Sequence, residues 1–109
     1  MSKDIDHWID DVGKGWQPLV RGLDANLRDI DPDYIIGQVK EKFSGLRFYL
    51  DAFAKPDYDH ALKLIEAAEA LSFKTCEDCG MAGDRVNVNG FWLKTLCPLC
   101  FKIRQTTSA

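Results

Sequence analysis

The chain has 109 residues, 46% of them hydrophobic, and carries 14 Lys and Arg against 17 Asp and Glu for a net charge of -3. That length fits one globular domain with a modest core, and the acidic balance excludes a whole-molecule basic field that would recruit nucleic acid or membrane. No window reaches the roughly eighteen apolar residues of a membrane span, and Met1-Ser2-Lys3-Asp4-Ile5-Asp6 lacks an apolar leader run, so the sequence predicts an intracellular, cytoplasmic protein without a membrane partner.

Along the chain, residues 4–12 place Ile5, Trp8, Ile9 and Val12 on one side of a short helix, which Gly13 and Gly15 interrupt. Leu19, Leu23, Leu27 and Ile30, with Val20 beside them, recur at three and four residues and predict a helix over 17–29, with Pro18 tolerated in its first turn. Asp31-Pro32-Asp33 stops it. The stretch 34–50 has both helical and strand periodicity in its first half. Ser44-Gly45, a two-residue loop of hairpin type, and the alternation of Leu46, Phe48 and Leu50 favour a hairpin pairing 34–43 with 46–52. Ile35, Val39 and Phe43 then share one side, and Glu41 is the misfit there, to be placed at an edge or beside a base. Asp57 is the expected cap of a helix reaching Phe73, with Leu62, Ile65, Ala68 and Leu71 as its buried stripe and Glu66 and Glu69 facing solvent.

All four cysteines fall in two pairs, Cys76-Glu77-Asp78-Cys79-Gly80 and Cys97-Pro98-Leu99-Cys100, with 17 residues between the inner ones. Two Cys-x-x-Cys turns at this separation are the spacing of a structural zinc site, because each turn offers two thiolates and the intervening segment folds back to complete a tetrahedron. A reducing compartment favours metal over disulfides for such pairs. Between them, residues 85–93 form a short hairpin turning at Asn89-Gly90, and Pro98 opens a helix through Arg104, ahead of a frayed polar tail at 105–109. The expected architecture is α+β: a body over 1–73 (helix, helix, hairpin, helix) and a zinc lobe over 74–109, either treble clef or zinc ribbon, packed together as one unit. The body carries nine basic and fourteen acidic side chains, the lobe five and three, so an anionic partner would meet the lobe.

Cys76, Cys79, Cys97 and Cys100 therefore stand as ligands of a structural Zn2+, a closed site with no position left for water. No phosphate loop, dinucleotide fingerprint or His-Glu-x-x-His pair occurs, and His7 and His60 read as exposed imidazoles among solvating carboxylates, so the sequence predicts no enzyme and no small-molecule substrate. Lys40, Lys42 and Arg47 share a hairpin side with Tyr49, as a solvated face or as a strip that tracks a phosphate backbone. Arg85, Trp92 and Lys94, with Lys102 and Arg104, make a second basic and aromatic group, in which Trp92 is expected to roof the metal core. Trp8 and Trp16 are expected in the core.

Gly15-Trp16, Pro18-Leu19, the run from Gln38 to Tyr49, Ala67-Ala68-Glu69, Thr75-Cys76-Glu77-Asp78-Cys79-Gly80 and Trp92 before Thr95-Leu96-Cys97 together resemble a family of small proteins from bacteriophages and bacterial genomes. That family has a Lys-Glu-Lys-Phe-Gly-Gly-Leu-Arg-Phe-Tyr core and a cysteine-rich end. The match spans most of the chain, departing at Ser44, where the family pattern has Gly, and at Cys100, where many relatives have His. It supports the hairpin and the metal site, implies a phage or prophage setting in the host cytoplasm, and adds no activity. The cysteine pairs alone resemble the finger of the DksA/TraR family, which binds RNA polymerase, but the long coiled coil of that family is missing and its mechanism does not carry over. The expected function is a non-enzymatic, zinc-stabilised protein that binds and modulates a host protein; the alternative is a nucleic-acid-binding or transcription-associated zinc-finger module.

Overall fold

The computed structural model describes residues 5–90 and 92–107 and has the expected α+β architecture. Helices α1 (Ile5–Trp8), α2 (Gln17–Ile30), α3 (Tyr58–Ser72) and α4 (Pro98–Thr107) accompany two antiparallel hairpins, β1 (Ile35–Lys42) with β2 (Gly45–Ala52), and β3 (Asp84–Val88) with β4 (Trp92–Leu96). The expected helix at the N-terminus is cut to one α-helical turn followed by two 3-10 turns, Ile9–Asp11 and Lys14–Trp16. Its apolar residues are nonetheless buried where the pattern put them: Ile5, Ile9 and Val12 join Trp16, Val20, Leu23 and Leu27 in the body core. Trp16 is fully buried, while Trp8 lies at the core's margin.

Within the same core Asp24 is buried because it has partners. The Tyr34 hydroxyl donates to its Oδ1 at 2.5 Å, and Arg28 Nε, one turn on, lies at 3.1 Å with its guanidinium over the Tyr34 ring. Burial first, and the Asp24 carboxylate second, push the Tyr34 hydroxyl far above its ordinary range. This cluster ties the end of α2 to the start of β1.

The first hairpin forms over nearly the expected residues, but its turn is Phe43-Ser44, with Lys42 paired to Gly45. Phe43 and Ser44 both have positive φ, 54° and 71°, as a two-residue loop of the twisted type requires. Glycine was expected to supply that conformation, yet Gly45 serves a different purpose: a Cβ there would sit 2.3 Å from the Phe73 ring. Register shifts on either side of Ile36, with Gly37 left unpaired, also change which side chains face inward. Ile36 and Val39 are buried, whereas Phe43, expected on the apolar side, is 61% exposed.

Helix α3 lies along β2 and satisfies its outer edge. Leu46 N–H donates to Ser72 Oγ at 2.9 Å and Phe48 N–H to Glu69 Oε2 at 3.0 Å, so helix side chains stand where a third strand would pair. Glu69 is thus a structural acceptor and not a solvent-facing charge. The buried stripe of α3 is Ala61, Ile65, Ala68 and Ser72, which leaves Leu62 and Leu71 on the outside against expectation. Asp57 makes no side-chain cap; the 3-10 turn Lys55–Asp57 leads into the helix instead.

In the lobe, Val88 pairs with Trp92, so three residues close the second hairpin, of which Phe91 lies outside the described residues. Helix α4 continues through Thr107, past the expected start of the frayed tail, and residues 108–109 lie outside the described residues. Cys76, Val88, Leu96 and Cys97 form a small second core with Val86, Cys100 and Phe101 against it.

A bulky residue at positive φ costs on the order of 1 kcal/mol, and the exposed Phe43 ring recovers little of that by burial. Phe43→Gly is therefore expected to fold normally and to hold or raise stability by up to about 1 kcal/mol, seen as an unchanged or higher midpoint in urea denaturation.

Candidate metal centre

Cys76 and Cys79 lie on a tight turn after α3. Cys76 N–H donates to Met81 O at 2.7 Å and Gly80 N–H to Cys76 O at 3.0 Å, which brings both thiols to one side of the turn. Cys97 directly follows β4, and Cys100 sits in the first turn of α4, where Phe101 N–H donates back to Cys97 O at 2.9 Å. The hairpin between them returns the chain so that all four Sγ atoms lie within 4.8 Å of one another, a group that could hold a metal ion.

The donor set fits a tetrahedral ion. Cys79 Sγ and Cys97 Sγ are 3.6 Å apart, far beyond a disulfide bond and near the roughly 3.8 Å edge of a tetrahedron with metal–sulfur bonds of about 2.3 Å. Met81 N–H points at Cys79 Sγ (3.5 Å) and Cys100 N–H at Cys97 Sγ (3.4 Å), and each backbone dipole favours the thiolate it faces. At Cys79 the Met81 N–H is outweighed by desolvation and the Cys76 and Cys97 thiols together, which leave the thiol above its ordinary value. The Cys100 N–H is the main cause that brings the Cys97 thiol down to about 7, while desolvation above all pushes the Cys100 thiol up. Four sulfurs leave no open coordination position, which suits such an ion to holding the lobe together and not to activating water. His7 and His60 are exposed and join no such group among the described residues.

The residues between the cysteines join the lobe to the body. Glu77, only 3% exposed, uses every polar group it has: its N–H donates to Thr95 O (2.9 Å), its C=O accepts from Gly15 N–H (2.8 Å), and its carboxylate accepts from Thr95 N–H (2.8 Å). The same carboxylate faces Lys94 Nζ at 3.5 Å, and Lys94 also reaches Glu41 at 3.3 Å. Burial pushes the Glu77 carboxyl above its ordinary value, and the Thr95 N–H and Lys94 ammonium partly oppose this. Thr95 Oγ1 donates to Ser44 O at 2.7 Å, and Trp16 Nε1 donates to Thr75 O at 2.7 Å. Asp78 grips Arg104 of α4 through two bonds of 2.6 and 2.7 Å, and that guanidinium holds its carboxyl below the usual range.

These contacts decide what the sequence-predicted surface residues can do. Lys94 and Arg104 are committed to carboxylates, which removes them as free cations. Glu41, the misfit in the strand pattern, finds its base in Lys94 and also accepts from Ser44 N–H at 2.8 Å. Lys40 lies opposite Arg47 on the outer face of the first hairpin, both half-buried, with Lys42 and Tyr49 exposed near them. Arg85 is exposed on β3. Trp92 does not roof the metal core: it is 65% exposed and, with Phe43, lines a cleft of about 350 Å³ whose other lining residues are Glu41, Leu93 and Lys94. Val86, Val88, Leu96 and Phe101 pack the core in its place.

Sequence reasoning missed Glu77, Thr95 and Phe43, and misread Gly13 and Gly15 as mere interruptions. A Cβ on Gly13 would lie 2.3 Å from Glu77 O, and one on Gly15 would lie 2.1 Å from Cys76 O. The only signal was their spacing just before a tryptophan; backbone-to-backbone contact leaves no side-chain pattern to read. Among the described residues no helix is long and apolar enough to cross a membrane. Comparison with protein-family models, with characterised proteins and with solved structures gave no match.

Two outcomes follow from this junction. Gly15→Ala is expected to cost about 3 kcal/mol, since backbone must move to admit the methyl, and to weaken metal binding by displacing Cys76; Lys14→Ala, at an exposed neighbour, is expected to stay within about 0.5 kcal/mol. Denaturation of the metal-loaded chain and chelator competition measure both. Because a bound ion requires thiolates, binding releases protons, so its stabilisation is complete at high pH and fades as pH falls. Metal affinity is expected to rise steadily from about pH 5 to 8, checked by competition titrations across that range.

Proposed function

We propose that this chain is a non-enzymatic binding protein, stabilised by a structural Zn2+ at Cys76, Cys79, Cys97 and Cys100, that acts from a phage or prophage by binding and modulating a host protein in the host cytoplasm. The observation carrying this reading is the pairing of a coordinatively closed thiol site with an exposed aromatic cleft assembled across the junction the site supports. Zinc suits four thiols in a tetrahedral set. The order of knuckle, hairpin and helix, with Cys100 on the helix, favours a treble clef over a zinc ribbon, whose second pair would sit on another hairpin.

One observation favours the nucleic-acid alternative. Lys40, Lys42 and Arg47 make no ion pair with a carboxylate among the described residues, in a chain where acids outnumber bases. A phosphate backbone would satisfy them. The protein reading remains the better supported, because an acidic molecule offers no extended field for a polyanion.

The test is recovery of partners from host lysate on the immobilised full chain, zinc-loaded or chelated. A protein partner retained in moderate salt, insensitive to nuclease and lost on chelation is expected, together with loss of lobe structure in amide spectra of the chelated chain. Recovery of nucleic acid alone, weakening steeply with salt, would transfer the assignment to the alternative, and unchanged spectra after chelation would remove the structural role of the metal.

A further inference from the structure

Phe43 and Trp92 come from different parts of the chain, one from the first hairpin turn and one from the start of β4, yet line the same cleft. Bonds on either side fix them: Thr95 Oγ1 to Ser44 O, beside Phe43, and the Glu41–Lys94 ion pair within the cleft. Both rings are mostly exposed, and Phe43 occupies a backbone conformation that favours Gly or Asn. Neither burial nor turn chemistry accounts for a phenylalanine at this position. Backbone strain in an exposed aromatic is the pattern of a side chain retained for contact with something else.

Charge narrows the occupant. Within the cleft the Lys94 ammonium and the Glu41 carboxylate, its two charged lining groups, pair with each other, so the lining itself is close to neutral. The rim is positive: Lys42 Nζ lies 5.5 Å over the Phe43 ring, and Lys40 and Arg47 continue from it along the outward hairpin face, opposite the face from which Glu41 enters the cleft; between Gln38 and Tyr49 that outward face bears no carboxylate. A slot of about 350 Å³ with Phe43, Trp92 and Leu93 in its lining, Lys42 at its rim and two further cations beyond it on the outward hairpin face, matches one large apolar side chain with carboxylates near it in sequence. Three cations on a short hairpin, with the Glu41 carboxylate in the slot itself, are a poorer match for a polyphosphate chain.

We infer that the cleft between Phe43 and Trp92 is the docking site for a segment of another protein that presents one large apolar side chain flanked by Asp or Glu. This deepens the binding-protein reading and rests on it. Phe43 and Trp92 grip the apolar anchor, while Lys42, Lys40 and Arg47 meet the flanking carboxylates. Since Phe43 and Trp92 belong to body and lobe, the cleft exists only while the junction does.

The test is fluorescence anisotropy of the zinc-loaded full chain with short labelled peptides carrying a central Leu, Phe or Trp between Asp and Glu residues. Comparison probes are the same peptides with Lys in place of the acids, and an oligothymidylate. Acidic peptides are expected to bind about tenfold or more tightly than their Lys counterparts. Trp92→Ala and Phe43→Gly should each weaken binding about tenfold or more, and Lys42→Glu severalfold with a smaller salt dependence. Phe43→Gly keeps the experiment interpretable because its melting temperature should not fall. Absence of peptide binding, indifference to the charge of the flanks, or binding that survives both aromatic substitutions would overturn the assignment, as would salt-sensitive binding of the oligothymidylate alone. A lysate partner still captured by Phe43→Gly and Trp92→Ala would leave the binding-protein reading standing and refute only this cleft; failure of the unsubstituted zinc-loaded chain to bind either a peptide or a lysate partner refutes both.

Discussion

Glu77 is the residue on which the arrangement depends. A carboxylate removed from water is costly unless its oxygens are partnered, and here the Thr95 N–H and the Lys94 ammonium each meet one of them while the Glu77 peptide bonds both Gly15 and Thr95. One residue between two cysteines thus links the N-terminal segment, the knuckle and β4. Losing any partner would leave a buried charge exposed to the low dielectric of the interior, so the contacts hold or fail together. Two separate clusters of apolar side chains, one in the body and one around the cysteines, are joined by this polar seam and not by a shared core.

The seam also explains the odd features of the first hairpin. Its turn reaches the lobe through Ser44 O and Thr95 Oγ1, its Glu41 serves Lys94, and its outer edge is occupied by Ser72 and Glu69 of α3. With both the tip and β2's edge engaged, what remains free is the outward face with Lys40, Lys42, Arg47 and Tyr49, and the Phe43 ring beside Trp92. On the proposed reading, metal holds the lobe, the lobe holds the hairpin tip, and the tip displays the residues that meet a partner. The metal then contributes to function through shape alone.

Much of this was legible in the chain. Apolar spacing located α2 and α3, alternation located β2, and the two cysteine pairs located the candidate ligand set, because periodicity and metal-ligand spacing are local properties. Legibility failed wherever a distant backbone or side chain intervened. The expected stripe on α3 was one-half wrong because Ser72 is drawn inward by the edge of β2, which leaves Leu71 outside. The turn was misplaced by one residue because Gly45 is small for the sake of Phe73, not for its own φ. Trp92 was assigned to a core that Val86, Val88, Leu96 and Phe101 already fill.

By itself, then, the sequence determined the element order and the four thiols, since both follow from residue type and separation along the chain. Only the tertiary structure decided that Gly13 and Gly15 pack backbone against backbone on the knuckle, that Glu77 is the buried centre of the seam, and that Phe43 and Trp92 line one cleft. Each of those depends on groups dozens of residues apart meeting at van der Waals or hydrogen-bond distance. Such meetings are set by how elements pack, and no local pattern encodes them.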